Sequence, residues 1–327
     1  GLGDVYKRQD IITCPISAEV MRDPVQGNDG HTYERASIMQ ALSIKKESPI
    51  TREPMTEQDI KVNASIIYLC DKYHKDGVEN LNKEVIDRLP KLQCISRVGV
   101  GMDSVDIPYA QSKNIKVINT PNGPTRAVAE LTLGLTLSLL RKIPNAHYDL
   151  KNRIWKKQTG NLLYNKKVGV LGLGRIGRMV AEMFRSLGNP VAGYDLYPNK
   201  DWAEKNNVEI LNLKQLLNQC DIITIHVPGN MDGSPILNKE KLSSLKDGGF
   251  IVNVSRGGVV DEDALYESLT NGKLSGAALD VFSNEPYDGK FCDLDNVILT
   301  PHIGSYAKEG KLKMEVDAVM NLVNALK

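Results

Sequence analysis

From Lys83 to the end of the chain, short apolar runs alternate with longer segments whose apolar positions recur at helical spacing. The runs predict strands at 93–98, 116–119, 167–171, 191–195, 222–226, 249–254, 276–280 and 297–300. Helices fit between most of them, and a last one fits 308–325. Strands joined by helical crossovers pair in parallel, so the alternation predicts a doubly wound α/β sheet. One segment stands out. Pro121-Asn122-Gly123-Pro124 opens a helix reaching about 143, and Leu131, Leu133, Leu135, Leu137, Leu139 and Leu140 lie on several of its faces. A helix apolar nearly all round is buried, in the core or in an interface with a second copy. The interface is slightly preferred, and with it a homodimer.

The front of the chain is patterned differently. Turn signals crowd residues 10–73, at Arg22-Asp23-Pro24, Gly27-Asn28-Asp29-Gly30 and Ser48-Pro49-Ile50-Thr51-Arg52. One short helix fits 34–42, with Ile38 and Leu42 four apart, and a second fits 64–73. This reads as a small α+β module. Residues 1–9 share no pattern with the rest of the chain and are expected to be a leader or a joining scar.

Charge narrows the function. Lys and Arg number 41 against 40 Asp and Glu, a net charge of +1. No basic field points to nucleic acid. The longest apolar stretch, 131–140, is broken by Thr132, Gly134, Thr136 and Ser138 and is too short for a membrane span. Cys14, Cys70, Cys94, Cys220 and Cys292 are far apart, odd in number and never spaced C-x-x-C. That disfavours a disulfide framework and a cysteine metal site, and a cytoplasmic protein without metal is expected.

The sharpest chemical signal is Gly172-Leu173-Gly174-Arg175-Ile176-Gly177 between a predicted strand and a predicted helix, with Asp195 ending the next strand. Gly172 permits a tight turn, Gly174 lets the backbone approach a pyrophosphate, and Gly177 lets helix and sheet pack closely. The helix N-terminus at Arg175 and Ile176 offers N–H groups and partial positive charge to phosphates. Asp195 accepts ribose hydroxyls and repels a 2′-phosphate, which predicts NAD rather than NADP.

Three further polar signals end predicted strands, the edge where open α/β sheets bind ligands. They are Asn253-Val254-Ser255-Arg256-Gly257-Gly258, then Ala278-Leu279-Asp280-Val281-Phe282 with Asn284-Glu285-Pro286, then Thr300-Pro301-His302-Ile303-Gly304. In this order, with the glycine fingerprint, they resemble the NAD-dependent D-isomer-specific 2-hydroxyacid dehydrogenases over about 77–327. The resemblance implies a Rossmann NAD-binding domain (147–305) and a flavodoxin-like substrate domain (75–146 plus 306–327). It implies hydride transfer between NAD and a 2-hydroxy or 2-oxo acid, and it places Arg256, Glu285 and His302 on the family's catalytic triad.

The chemistry suits those residue types. His302 would give a proton to the carbonyl oxygen, or take one from the hydroxyl in the oxidative direction. Glu285 would bond the other ring nitrogen and fix the tautomer. Arg256 offers a planar fork for a carboxylate. By resemblance Asp280 anchors the nicotinamide amide. His226 and Pro228 match the cofactor-side loop, and Ser255 and Gly304 belong with the cofactor site. Arg97-Val98-Gly99-Val100-Gly101 resembles the substrate loop, with Val100 and Gly101 presenting backbone N–H groups. Arg97 stands where phosphoglycerate dehydrogenases place a phosphate-binding cation.

Residues 10–74 resemble a U-box, the zinc-free relative of the RING finger of ubiquitin ligases. The matching residues are Cys14-Pro15-Ile16-Ser17, Met21-Arg22-Asp23-Pro24-Val25, Gly30-His31-Thr32-Tyr33-Glu34-Arg35 and Ser48-Pro49-Ile50-Thr51. Ile16 and Pro49 would then line the groove for a ubiquitin-conjugating enzyme, with Ala41 where the family often has tryptophan. The U-box stands where the dehydrogenases carry the first strands and helices of the substrate domain, so that domain is expected to be truncated. Three readings stay open: a dehydrogenase carrying a ligase module, an NAD-binding scaffold or ligase with little turnover, and an accidental join of two reading frames.

Overall fold

A computed structural model of the chain describes residues 24–29, 31–62, 81–90, 92–230 and 232–325. It divides into two compact units, Gly1–Pro124 with Lys308–Lys327, and Thr125–Ala307. The helix expected at 64–73 and the segment around Ile16 lie outside the described residues.

In the first unit, β1 (Pro24–Gln26) pairs antiparallel with β2 (Thr32–Glu34) and β3 (Lys61–Val62). Helix Arg35–Ile44 follows β2 and buries Ile38 and Leu42, the pair four apart in the sequence. These pack with Val25, Tyr33 and Met55. The sheet is not evident from periodicity, because strands of two or three residues show no alternation. A polar knot ties the loops together. The Asp29 carboxylate accepts from Tyr33 Oη at 2.5 Å, Ser48 Oγ at 2.5 Å and the His31 N–H at 3.0 Å. Burial raises this carboxyl, and the bonds from Ser48, Tyr33 and His31 outweigh it, leaving Asp29 below the usual carboxylate range.

The same unit holds β4 (Cys94–Arg97) and β5 (Lys116–Asn119), a parallel pair. Asn82 caps helix Lys83–Asp87 and Asp106 caps helix Ile107–Ser112, each side chain accepting an N–H of the first turn. Leu81, Ile86, Ile95, Ala110 and Ile115 form their core. Helix Lys308–Ala325 joins this pair: Ser96 Oγ donates to the Ala318 carbonyl at 2.8 Å and Asn321 Nδ2 to the Asn119 carbonyl at 3.0 Å. A two-stranded sheet with three helices is the whole described extent of this domain.

The second unit is a seven-stranded parallel sheet of β6 (Val168–Leu171), β7 (Val191–Tyr194), β8 (Val208–Ile210), β9 (Ile222–Ile225), β10 (Gly249–Asn253), β11 (Leu274–Leu279) and β12 (Val297–Leu299). The order β12-β11-β10-β9-β6-β7-β8 is doubly wound, and its direction reverses between β6 and β9. Alternate residues serve opposite faces. Val168, Val170, Ile222, Val252 and Ala278 pack on one side with Ala181 and Phe184 of helix Arg175–Ser186. Leu171, Ile223, Ile225, Ile251 and Ala277 pack on the other with Leu216, Leu242 and Leu265. Of these seven strands, β8 alone lacks a counterpart among those expected; its three residues carry one exposed glutamate, Glu209.

The leucine-rich helix runs Thr125–Arg141 and buries Val128, Ala129, Thr132, Leu135, Thr136, Leu139 and Leu140. Leu137 stays exposed, while Leu135, Leu139 and Leu140 join the core on the sheet of the same unit. For that reason the units part after Pro124, not after residue 146.

Candidate active site

The reversal between β6 and β9 opens a crevice at their C-terminal ends, and the glycine turn lies there. Gly172 has φ +94°, and a Cβ on it would fall 2.6 Å from the His226 carbonyl oxygen. Its N–H donates to the Tyr194 carbonyl at 2.8 Å. A Cβ on Gly177 would fall 1.8 Å from the Gly172 carbonyl oxygen, whereas one on Gly174 would meet no protein atom within 4 Å. The turn therefore closes tightly on its own backbone at Gly172 and Gly177 and is open at Gly174.

Helix Arg175–Ser186 begins at Gly174 with no side-chain cap, while Asn199, Asn212, Asn238 and Asp261 each cap a helix of this unit. Gly174 and Arg175 are exposed. An uncapped N-terminus beside an open glycine fits a pyrophosphate. Asp195 is fixed at the end of β7: Oδ2 accepts the Leu173 N–H at 2.7 Å and Oδ1 the Tyr197 N–H at 2.9 Å. A carboxylate accepts about four bonds, so each oxygen retains capacity for a ribose hydroxyl. These residues fit NAD: the turn and helix would hold its phosphates, and Asp195 its ribose.

His226 meets the glycine turn through its backbone. Burial pulls its pKa down to about 3, so the ring is neutral. Neither ring nitrogen has a partner among the described residues. Its backbone takes part instead, the carbonyl lining Gly172 while the N–H donates to the Leu171 carbonyl at 2.7 Å. Pro228, two residues on, is exposed.

The second half of the site grows from β10, β11 and β12. Past β10, Asn253 Oδ1 accepts from the Ser255 N–H at 3.1 Å and Ser255 Oγ at 2.8 Å, and its Nδ2 donates to the Arg256 carbonyl at 3.1 Å. This side-chain turn shapes the loop carrying Arg256. Arg256 Nη1 donates back to the Ser255 carbonyl at 2.7 Å.

Past β11, Asp280 is fully buried and accepts from Thr300 Oγ1 at 2.6 Å, the Ile303 N–H at 2.8 Å and the Gly304 N–H at 2.8 Å. Burial pushes its carboxyl up, against the pull of those bonds. The resemblance places Asp280 on the nicotinamide amide; here its partners all belong to the turn that carries His302. A Cβ on Gly304 would lie 3.1 Å from Asp280 Oδ2, so a small residue lets this amide reach the carboxylate. His302 sits at φ +53°, a left-handed conformation that costs a non-glycine residue about 1–3 kcal/mol and needs such a scaffold.

His302 Nδ1 meets Glu285 Oε2 at 2.8 Å, and Glu285 Oε1 accepts the Phe282 N–H at 3.0 Å. With the carboxylate accepting, Nδ1–H donates and Nε2 is left for a reacting oxygen. A Cβ on Gly257 would fall 1.8 Å from the Phe282 carbonyl oxygen, so the Arg256 and Glu285 loops touch backbone to backbone. Arg256, Glu285 and His302 thus belong to three adjoining strand ends of one unit. The contributions of Asn253, Thr300 and Phe282 are not separable in the sequence.

Arg97, Val100 and Gly101 belong to the first unit. Arg97 Nη1 donates to Ser104 Oγ at 3.0 Å, and the Val100 carbonyl accepts from Asn119 Nδ2 at 2.8 Å. Gly99, at φ +122°, bonds Thr120 through both its N–H and its carbonyl. In the small module, Pro49 is half-buried and Ile50 exposed on a turn held by Ser48 Oγ, which accepts the N–H groups of Ile50 and Thr51. Among the described residues no group of three or more His, Cys, Asp or Glu could hold a metal, and no helix is long and apolar enough to cross a membrane.

Comparison with known proteins adds sequence and structural relatives. Residues 133–304, just over half the chain, match the family described as D-isomer specific 2-hydroxyacid dehydrogenase, NAD binding domain, and residues 10–77 match the U-box domain. The D-3-phosphoglycerate dehydrogenase of Methanocaldococcus jannaschii is 43% identical over 235 residues, 71% of this chain and 45% of that protein. Its counterpart in Archaeoglobus fulgidus is 36% identical over 290 residues, 88% of this chain and 54% of that protein. The chain spans about half the length of these curated relatives. A D-lactate dehydrogenase from Aquifex aeolicus, solved with NAD and lactic acid, superposes with a TM-score of 0.68 at 30% identity, over 76% of this chain and 80% of that one.

Proposed function

The chain belongs to the D-isomer specific 2-hydroxyacid dehydrogenase family, and from that premise we propose that it interconverts a D-2-hydroxy acid and its 2-oxo acid with NAD. The observation that carries this reading is His302 Nδ1 held at 2.8 Å by Glu285, in the same unit as the glycine turn. NAD, when bound, supplies or accepts the hydride. His302 supplies the proton at Nε2, Glu285 keeps that nitrogen available, and Arg256 holds the substrate carboxylate. The substrate is a phosphorylated hydroxy acid of the phosphoglycerate class. The curated relatives support this assignment.

The test is oxidation of NADH by the purified full chain against a panel of 2-oxo acids that includes a phosphorylated one. Turnover is expected with NADH and far less with NADPH, because the Asp195 carboxylate would repel a 2′-phosphate. A chain that binds NADH and reduces none of the acids overturns the proposal and leaves a cofactor-binding scaffold.

A second activity is supported by the U-box match and by exposed Ile50 beside Pro49. The module would dock a ubiquitin-conjugating enzyme through Ile16 and Pro49, since small apolar anchors suit a transient interface. Ubiquitin chains are expected when the protein is mixed with activating enzyme, ATP and a panel of conjugating enzymes. Pro49→Ala should reduce them and leave NADH oxidation intact. No transfer with any conjugating enzyme would reduce the module to a structural element.

A further inference from the structure

We propose that Tyr287 is a positioning residue: stacked on Phe282, it closes an aromatic clasp that fixes Glu285 against His302. The proposal rests on the reading of those two residues given above.

Glu285 sits in an exposed stretch, Ser283 to Pro286, flanked by Phe282 and Tyr287. Glu285 and His302 keep 36% and 47% of their side-chain surface in water, and an ion pair that exposed is worth little by itself. It cannot order the loop that carries it, so the order has to come from the ends. There the rings of Phe282 and Tyr287 stack with centroids 4.1 Å apart and planes 17° from parallel. Tyr287 is anchored in turn. Its hydroxyl accepts the Phe291 N–H at 3.1 Å, and its ring packs 6.0 Å from that of Phe291, which is wholly buried.

Phe282 is the link from clasp to catalyst. Its side chain is one half of the stack, and its backbone N–H is the donor to Glu285 Oε1. Its carbonyl oxygen is where a Cβ on Gly257 would collide, so the backbone at Phe282 has no room on that side. Ser283 is tied as well, its N–H donating to Glu262 Oε1 at 2.7 Å. With the stack lost, Phe282 turns, the N–H leaves Glu285, and the carboxylate swings to water. His302 Nδ1 then loses its acceptor and Nε2 its defined orientation.

The experiment reads His302 directly, in the full chain labelled with 15N-histidine, its ring signals assigned with His302→Gln. Tyr287→Phe keeps the ring and is expected to leave them at the parent position. Tyr287→Leu keeps apolar bulk but not the stack, and is expected to move them to the position seen in Glu285→Gln. In turnover, Tyr287→Leu should lower kcat roughly 10-fold, less than the ~100-fold or more for removing an acid–base group, with KM for NADH unchanged. Phe282→Leu opens the stack from its other side and replaces Tyr287→Leu if that variant fails to fold. His302 signals that stay at the parent position in the Leu variant overturn the clasp. A parent chain without turnover fails only the functional reading, because the histidine signals are still read.

Discussion

Gly174→Ala and Gly177→Ala are expected to lose NADH binding for opposite reasons, and the pair separates ligand from fold. At Gly177 an added Cβ lands 1.8 Å from the Gly172 carbonyl oxygen and 2.9 Å from its carbonyl carbon. Both are backbone atoms of the turn, so no side chain can move aside. Overpacking in a close-packed interior costs about 1–3 kcal/mol, and a backbone-to-backbone collision belongs at or above the top of that range. Helix Arg175–Ser186 has to lift from the sheet, taking buried Val180, Ala181 and Phe184 with it. Gly177→Ala should therefore lower the melting temperature and raise the Kd for NADH together, the latter by ~100-fold or more, given that 1.4 kcal/mol is tenfold.

At Gly174 the added methyl meets nothing in the protein. Gly174→Ala should melt like the parent and still bind NADH weakly, because the space it enters is the space the pyrophosphate needs. Titration and differential scanning calorimetry on both variants check this. Parent-like NADH affinity in Gly174→Ala would sink the assignment of the crevice, whatever Gly177→Ala does.

Both glycines are visible in the sequence, and the reason is local. A strand, a turn of fixed φ and a helix start are all encoded within a few residues, so Gly172 to Gly177 can be read without tertiary information. The same holds for β6, β9 and β10, whose apolar runs are buried throughout. What could not be read depends on distant contacts. β8 exists because it pairs with β7, not because its three residues form an apolar run. Thr125–Arg141 looks the same in sequence whatever covers it; that Leu135, Leu139 and Leu140 pack on the sheet is a tertiary fact. Asp280 shows the limit within the site. Its motif marks it as important, but its bonds to Thr300, Ile303 and Gly304 need β11 and β12 to be neighbours. His226 was legible as a residue at the crevice and not as a ring whose nitrogens are buried without partners among the described residues.

His302→Ala is expected to remove turnover while sparing the cofactor. The ring lies 17 residues beyond Glu285, in a left-handed turn that Asp280 holds from beneath. None of the bonds of that turn runs through the imidazole: the Thr300, Ile303 and Gly304 contacts to Asp280 stay when the ring is deleted. The histidine is half exposed, so its loss opens no core cavity and the melting temperature should hold. The glycine turn and Asp195 would hold the pyrophosphate and ribose of NADH, and neither touches residue 302, so the Kd should hold as well. The entire effect should then appear in kcat, as a loss of ~10²–10⁴-fold for removal of a positioned acid–base group. Glu285→Gln should cost less, because the amide preserves the shape and can still accept from Nδ1–H while giving up the charge. The double variant should be little worse than His302→Ala alone, since two residues that act as a unit are not additive. Single-turnover measurements with saturating NADH, made on all three, resolve the order. A His302→Ala protein that retained parent kcat would remove the histidine from the chemistry, and an additive double variant would separate Glu285 from it.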